Sequence, residues 1–302
     1  MAENTENLFA QLSAAAAARV ATARPLVAGL RVRGHGGLRT ATLWRKDVVV
    51  ASEQSLPRAE EAEIVLADGA TFAARIAGRD PGTNVAVLRF DGAAQPAWSA
   101  AVAPQPGTLV LALAADGAGG VAARLGAVHS VGPAWHSRAG GRIDRRIGLD
   151  LRLGRGEEGG PVVDAAGGLL GISTLGPRRR VLVIPTATVE RVLEPLLTLG
   201  RIARGWLGAA VQPVMVPDEL QETAGHAQGL MILGVTGGGP VAQAGVLLGD
   251  ILLALDGAAL GGATRLAELL GPEAVGKQVE LRLIRAGQAQ SLNVIVGERP
   301  PR

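Results

Sequence analysis

Apolar residues alternate with polar ones, or cluster in short runs, along most of the chain, and Gly, Pro, Asp and Asn interrupt them at close intervals. A period of two bounded by turn residues marks β-strands. On this ground strands are predicted over residues 26–32, 41–44, 48–51, 63–66, 72–76 and 85–90, with turns at Asp68-Gly69 and Asp80-Pro81-Gly82. A second β-rich stretch follows from 108 to about 185, beyond a proline-containing crossover at 96–107. Two segments read as helices. The alanine-rich run 6–22, with Leu8, Leu12 and Val20, is one. The other is 188–199, where Val189, Val192, Leu193, Leu196 and Leu197 fall on one face and Gly200 offers a stop. The C-terminal third predicts strands at 206–211, 230–235 and 251–255, a helix at 263–270, and a hairpin of 279–284 with 291–296 around Ala286-Gly287.

Composition narrows the picture slightly. Of the 302 residues 48% are hydrophobic but only 2% aromatic, so the cores are filled by aliphatic side chains. The net charge of +3 makes no case by itself for nucleic acid. With no cysteine, disulfides and thiolate metal sites are excluded. His35, His129, His136 and His226 show no metal-ligand spacing, and neither metal nor cofactor is expected. Arg178-Arg179-Arg180, with Arg138, Arg142, Arg145 and Arg146, reads as a solvated basic face.

The segment Gly156-Glu157-Glu158-Gly159-Gly160-Pro161 has the frame of a Gly-x-Ser-Gly-Gly-Pro nucleophile loop, with glutamate in place of serine. Around it stand Ile147-Gly148-Leu149-Asp150, Gly168-Leu169-Leu170-Gly171-Ile172-Ser173-Thr174, Val183-Ile184-Pro185, Gly126-Ala127-Val128-His129-Ser130 and Arg204-Gly205-Trp206-Leu207-Gly208. In this order and spacing they resemble the HtrA (high-temperature-requirement) family of bacterial trypsin-like serine proteases. The resemblance implies a mostly β chain: a chymotrypsin-like double β-barrel followed by a PDZ domain, with a short N-terminal helix. Domains are expected at 1–24 (helical segment), 25–200 (protease-like) and 201–302 (linker and PDZ).

The same resemblance places the family's catalytic residues. Its aspartate falls on Asn84, within Gly78-Arg79-Asp80-Pro81-Gly82-Thr83-Asn84; its histidine, counted back from Asp68 without a gap, falls on Gln54; its serine falls on Glu158. Gly156 and Glu158 would supply the oxyanion loop. A carboxylate has no hydroxyl to deprotonate, and neither amide is a general base near neutral pH. On the residues alone the expectation is therefore a non-enzyme: a pseudoprotease with a degenerate triad, acting as scaffold, adaptor or accessory subunit. A hydrolase with an unorthodox nucleophile, or a structural subunit of a larger enzyme complex, are the alternatives. The PDZ groove is expected to take protein or peptide C-termini, with Trp206, Leu207, Gly208 and Ala209 as its carboxylate loop and Val211, Leu266 and Leu270 lining the pocket. In relatives the N-terminal segment helps to build trimers, so a homo-oligomer or a hetero-complex is expected. No nucleic acid and no membrane span are expected. The acidic start Met1-Ala2-Glu3-Asn4-Thr5-Glu6 does not read as a signal peptide, which points to the cytoplasm; the periplasm is the alternative if a signal was removed.

Overall fold

The computed structural model describes residues 2–300 apart from 93, 117–119 and 138, so the Arg138 of the expected basic face lies outside the described residues. The chain divides into two compact units, Met1–Ser137 with Arg142–Ile202, and Arg138–Gly141 with Ala203–Arg302.

The first unit opens with helix α1 (Ala2–Ala23). Strands β1 (Val27–Val32), β2 (Arg39–Arg45), β3 (Val48–Ser52), β4 (Glu61–Leu66), β5 (Thr71–Asp80) and β6 (Val85–Phe90) close into a barrel in the order β1-β2-β3-β6-β5-β4. Strands β7 (Leu109–Ala115) and β8 (Val121–Gly132) lead to a small hairpin of β9 (Trp135–His136) and β10 (Arg142–Ile143). Then β11 (Arg146–Asp150), β12 (Pro161–Asp164), β13 (Leu169–Leu175) and β14 (Val181–Pro185) complete a second closed barrel, β11-β14-β13-β12-β7-β8. Closure removes the free edges that an open sheet would expose.

Each barrel has its own aliphatic interior: Leu30, Ile64 and Leu88 in the first, Val128, Val162 and Val183 in the second. A third cluster draws on both barrels and on α2 (Thr186–Leu199): Trp44, Val50, Leu113 and Ile172 pack with Val189, Val192, Leu193 and Leu196. Pro195 inside α2 removes a helical hydrogen bond, a cost of about 3 kcal/mol. Four buried aliphatic side chains at about 1.5–3 kcal/mol each outweigh it. Gly200, left-handed at φ 72°, ends the helix.

The two barrels meet at the glycine loop 154–160. Thr40 and Thr42, both fully buried on β2, donate their hydroxyls to Gly156 O and Gly159 O at 2.8 Å. The approach leaves no room for side chains. A Cβ on Gly159 would lie 2.5 Å from Thr40 O, and one on Gly160 would lie 1.9 Å from Leu113 O.

The second unit carries the sheet β16 (Ala209–Met215), β17 (Gln228–Val235), β18 (Ile251–Leu255), β20 (Gln278–Arg285) and β21 (Gln288–Ile295) in that spatial order, with β19 (Ala258–Ala259) beside β18. Helices α3 (Asp218–Ala224), α4 (Pro240–Gln243) and α5 (Ala263–Leu269) accompany it. One expectation changes here. The predicted strand 206–211 is broken: β15 (Gly205–Trp206) pairs with β22 (Gly297–Glu298), and β16 starts anew at Ala209. Gly208, left-handed at φ 78°, turns the chain between them.

Gly160→Ala is expected to destabilise the chain by about 3 kcal/mol in urea unfolding, because the obstacle is a backbone carbonyl that cannot move aside. Gly36→Ala, with nothing within 4 Å, should stay within about 0.5 kcal/mol of the parent.

Candidate functional site

Three structural devices bring Gln54, Asn84 and Glu158 together. Gln54 sits on a single 3-10 turn (Glu53–Ser55) directly after β3. Asn84 ends the turn between β5 and β6, where buried Asp80 accepts from Gly82 N, Thr83 N and the Thr83 hydroxyl. That turn requires a positive φ at Asn84, 59°, which asparagine tolerates better than most residues. Ser52 lies opposite Val85 in the β3–β6 register, so the two turns emerge side by side. Glu158 comes from the glycine loop at the barrel seam.

The hydrogen bonds are closely knit. Asn84 Oδ1 accepts Gln54 N at 2.7 Å, and Asn84 Nδ2 donates to Ser52 Oγ at 2.9 Å and Thr174 Oγ1 at 2.6 Å. Gln54 Nε2 donates to Glu158 Oε1 at 2.7 Å and to Leu175 O at 2.8 Å. Glu158 Oε1 also accepts Leu175 N at 2.9 Å, Thr174 Oγ1 at 3.2 Å and Ser52 Oγ at 3.3 Å. Leu175 is at the end of β13, and Gly176 N already bonds Arg180 O across to β14. Both polar backbone groups of Leu175 therefore face away from β14, where Glu158 and Gln54 hold them. Ser52 and Thr174 are the hydroxyls of this cluster, and their side chains meet amide, carboxylate and hydroxyl groups.

Glu157, the neighbour of Glu158, has different partners. Its Oε2 accepts Arg124 Nε at 2.6 Å and Gly154 N at 2.7 Å, and its Oε1 accepts Arg124 Nη2 at 2.6 Å. This bidentate pair clamps the loop to β8. The Arg124 guanidinium holds the Glu157 carboxyl below the ordinary carboxylate range; partial burial opposes it, and the Gly154 N–H assists. Arg124 and Thr174 went unrecognised as site residues. Thr174 closes a quoted motif, whereas nothing in the spacing marks Arg124.

In the second unit the loop Trp206-Leu207-Gly208-Ala209 is held from behind: Thr236 N bonds Gly208 O at 2.7 Å, and Val241 N bonds Leu207 O at 2.9 Å. Trp206 belongs to β15, and a Cβ on Gly208 would come within 3.3 Å of its indole. Leu207, Leu266 and Leu270 are buried in the core of this unit, while Ala209 and Val211 are half-buried on β16. Strand β16 ends the sheet, with its outer edge unpaired among the described residues. Arg178, Arg179 and Arg180 are exposed, and Arg142 pairs with Asp144 at 3.5 Å.

A trypsin-like peptidase domain model matches residues 39–172 and a PDZ domain model residues 205–296, which defines the chain as a peptidase-type double barrel joined to a PDZ domain. Among solved structures, an HtrA-type protease AlgW with decapeptide superposes at TM-score 0.75 with 25% identity, covering 94% of this chain and 98% of that one. AlgW with tripeptide gives 0.73 and 28%, covering 95% and 98%. Among curated relatives, the probable periplasmic serine endoprotease DegP-like of Brucella suis biovar 1 (strain 1330) is 26% identical over 262 residues, 83% of this chain and 50% of the relative. Its Halomonas elongata counterpart is 29% identical over 260 residues, 80% and 52%. The chain belongs to the HtrA family, and spans about half the length of these two relatives.

Two expectations change. The reading of the chain as a non-enzyme is overturned: its relatives and structural neighbours are named serine endoproteases, and the family points to an enzyme. The cytoplasmic expectation finds no support, because the relatives are named periplasmic. Among the described residues no helix is long and apolar enough to cross a membrane.

The depressed Glu157 carboxyl sets a pH dependence. A group whose folded-state pKa is lowered contributes stability above its unfolded value and loses it as pH falls through the folded one. Below about pH 4.3, the ordinary glutamate value, the parent should lose stability more steeply than Glu157→Gln, which lacks that ionisation. Urea midpoints measured across the acid range check this.

Proposed function

We propose that this HtrA-family chain recognises free polypeptide C-termini ending in an apolar residue. The loop Leu207-Gly208-Ala209 receives the carboxylate, and the outer edge of β16 receives the chain behind it. The unpaired β16 edge beside a loop already clamped from its far side carries this reading. Edge addition supplies main-chain hydrogen bonds, and an adjoining pocket supplies preference for one side chain. The AlgW structures, described as holding a decapeptide and a tripeptide, support it by kinship. Such recognition suits an adaptor or scaffold that presents other proteins. With its relatives, we place the chain in the periplasm. We place contacts with further copies or a partner subunit on α1, where Leu8, Phe9 and Leu12 are exposed.

In the barrel unit, Gln54, Asn84 and Glu158 are proposed to occupy the positions at which the family's proteases carry histidine, aspartate and serine. Peptide-bond hydrolysis is the second reading, favoured by the names of the relatives. The two readings differ in what they require. Recognition needs only the second unit, whereas hydrolysis also needs turnover at the barrel cleft.

Calorimetric titration of the full chain with a peptide ending in an apolar residue is expected to show micromolar binding, in keeping with burial of one side chain worth about 1.5–3 kcal/mol plus carboxylate bonds. The same peptide with an amidated C-terminus should bind at least tenfold more weakly. Equal binding of the two forms contradicts the loop assignment. Casein turnover above a mock purification, measured on the same preparation, supports the second reading.

A further inference from the structure

The polar cluster of the first unit holds a hydroxyl, a carboxamide and a carboxylate against one another. Gln54 Nε2 has three oxygens close by: Glu158 Oε1 at 2.7 Å, Leu175 O at 2.8 Å and Thr174 Oγ1 at 3.1 Å. A carboxamide nitrogen carries only two hydrogens. The two shorter contacts use them, so Thr174 Oγ1 meets the amide away from its N–H directions. The carbonyl carbon is bonded to that nitrogen at about 1.33 Å, which places Gln54 Cδ within about 4.4 Å of the hydroxyl oxygen.

The hydroxyl is held from two sides. Asn84 Nδ2 donates to Thr174 Oγ1 at 2.6 Å, and Thr174 Oγ1 donates to Glu158 Oε1 at 3.2 Å. One carboxylate oxygen therefore stands at hydrogen-bond distance from both the hydroxyl and the amide nitrogen, the separation over which a side chain passes a proton. Thr174 is buried at the end of β13, whereas Gln54 is exposed on its turn, where a small leaving group has a way out to solvent.

We propose that Thr174 and Gln54 join in an ester, a covalent bond between the two barrels that the chain makes by itself. Thr174 Oγ1 attacks Gln54 Cδ while Glu158 takes the hydroxyl proton. The C–N bond of the tetrahedral centre then breaks, and Glu158 returns the proton to the departing nitrogen, which leaves as ammonia. The products are one ester and one molecule of ammonia; nothing is oxidised, and no co-reactant enters. The bond ties the turn after β3 to the end of β13, 120 positions further along the chain. This step gives the glutamate of the glycine loop and the Gln54 amide a joint chemical role, independent of peptide recognition by the second unit.

Intact mass spectrometry of the full chain, incubated at neutral pH, tests this. The parent should fall about 17 Da below its sequence mass, the mass of the ammonia lost. Tryptic digestion should yield residues 47–58 and 156–178 as one linked pair, which hydroxylamine separates. Thr174→Val should keep its full mass, and Thr174→Ser, which retains a hydroxyl, should still link. Glu158→Gln should link about a hundredfold more slowly, the usual cost of losing a positioned acid–base group. A parent that keeps its full sequence mass overturns the bond. So does a loss of ammonia that maps to an asparagine while the two peptides stay separate. A Glu158→Gln chain that links as fast as the parent overturns the role of Glu158 and leaves the bond in place. The parent measurements stand even if a variant does not fold.

Discussion

Close backbone contact at the seam between the two barrels is the constraint from which the rest of the first unit follows. Gly156, Gly159 and Gly160 let the loop from the second barrel lie against β2 and β7 at distances that any Cβ would violate. Thr40 and Thr42 bond its carbonyls from within the first barrel. A loop held this firmly delivers residue 158 to one place, whatever side chain it carries. The scaffold requires the glycines at 156, 159 and 160, and the chemistry at 158 is free to vary. That separation lets a glutamate stand at position 158 without disturbing the fold around it.

Glutamate uses the position differently from a hydroxyl. Its carboxylate draws in the Gln54 amide, the Leu175 N–H and the hydroxyls of Ser52 and Thr174, while Gln54 also takes the Leu175 carbonyl. The end of β13 at Leu175 is thus bonded to the protein's own side chains. In the second unit the outer edge of β16 presents backbone groups with no strand beside them among the described residues. Of these two strand edges, the one on β16 is ready to receive a peptide without first releasing an internal bond.

Much of this was readable in the sequence, for identifiable reasons. The strands of both barrels alternate clearly, and β6 falls on the predicted residues 85–90 because Val85, Val87 and their neighbours are buried on both faces between turn signals. The glycine loop and the Asp80–Asn84 turn were visible because their backbone demands restrict residue type. Other features depend on long-range geometry. The break at Gly208 was missed because a glycine inside an apolar run looks the same whether the strand continues or turns, and only pairing of Trp206 with Gly297 decides it. Helix α3 was missed because Asp218–Ala224 is short and mostly polar. Arg124 on β8 meets Glu157 of the glycine loop from 33 positions away in the sequence, which no local spacing encodes. The expectation of a non-enzyme weighed three residue identities alone, and kinship with named endoproteases corrected it.

Recognition at the β16 edge is the central claim, and amide hydrogen exchange resolved by residue addresses it most directly. The Ala209 and Val211 N–H groups should exchange readily in the free chain and become protected when a peptide with a free apolar C-terminus is bound. The even-numbered neighbours Gln212 and Val214, which face β17, should be protected in both states. A bound peptide that leaves Ala209 and Val211 exchanging as before would contradict strand addition at this edge.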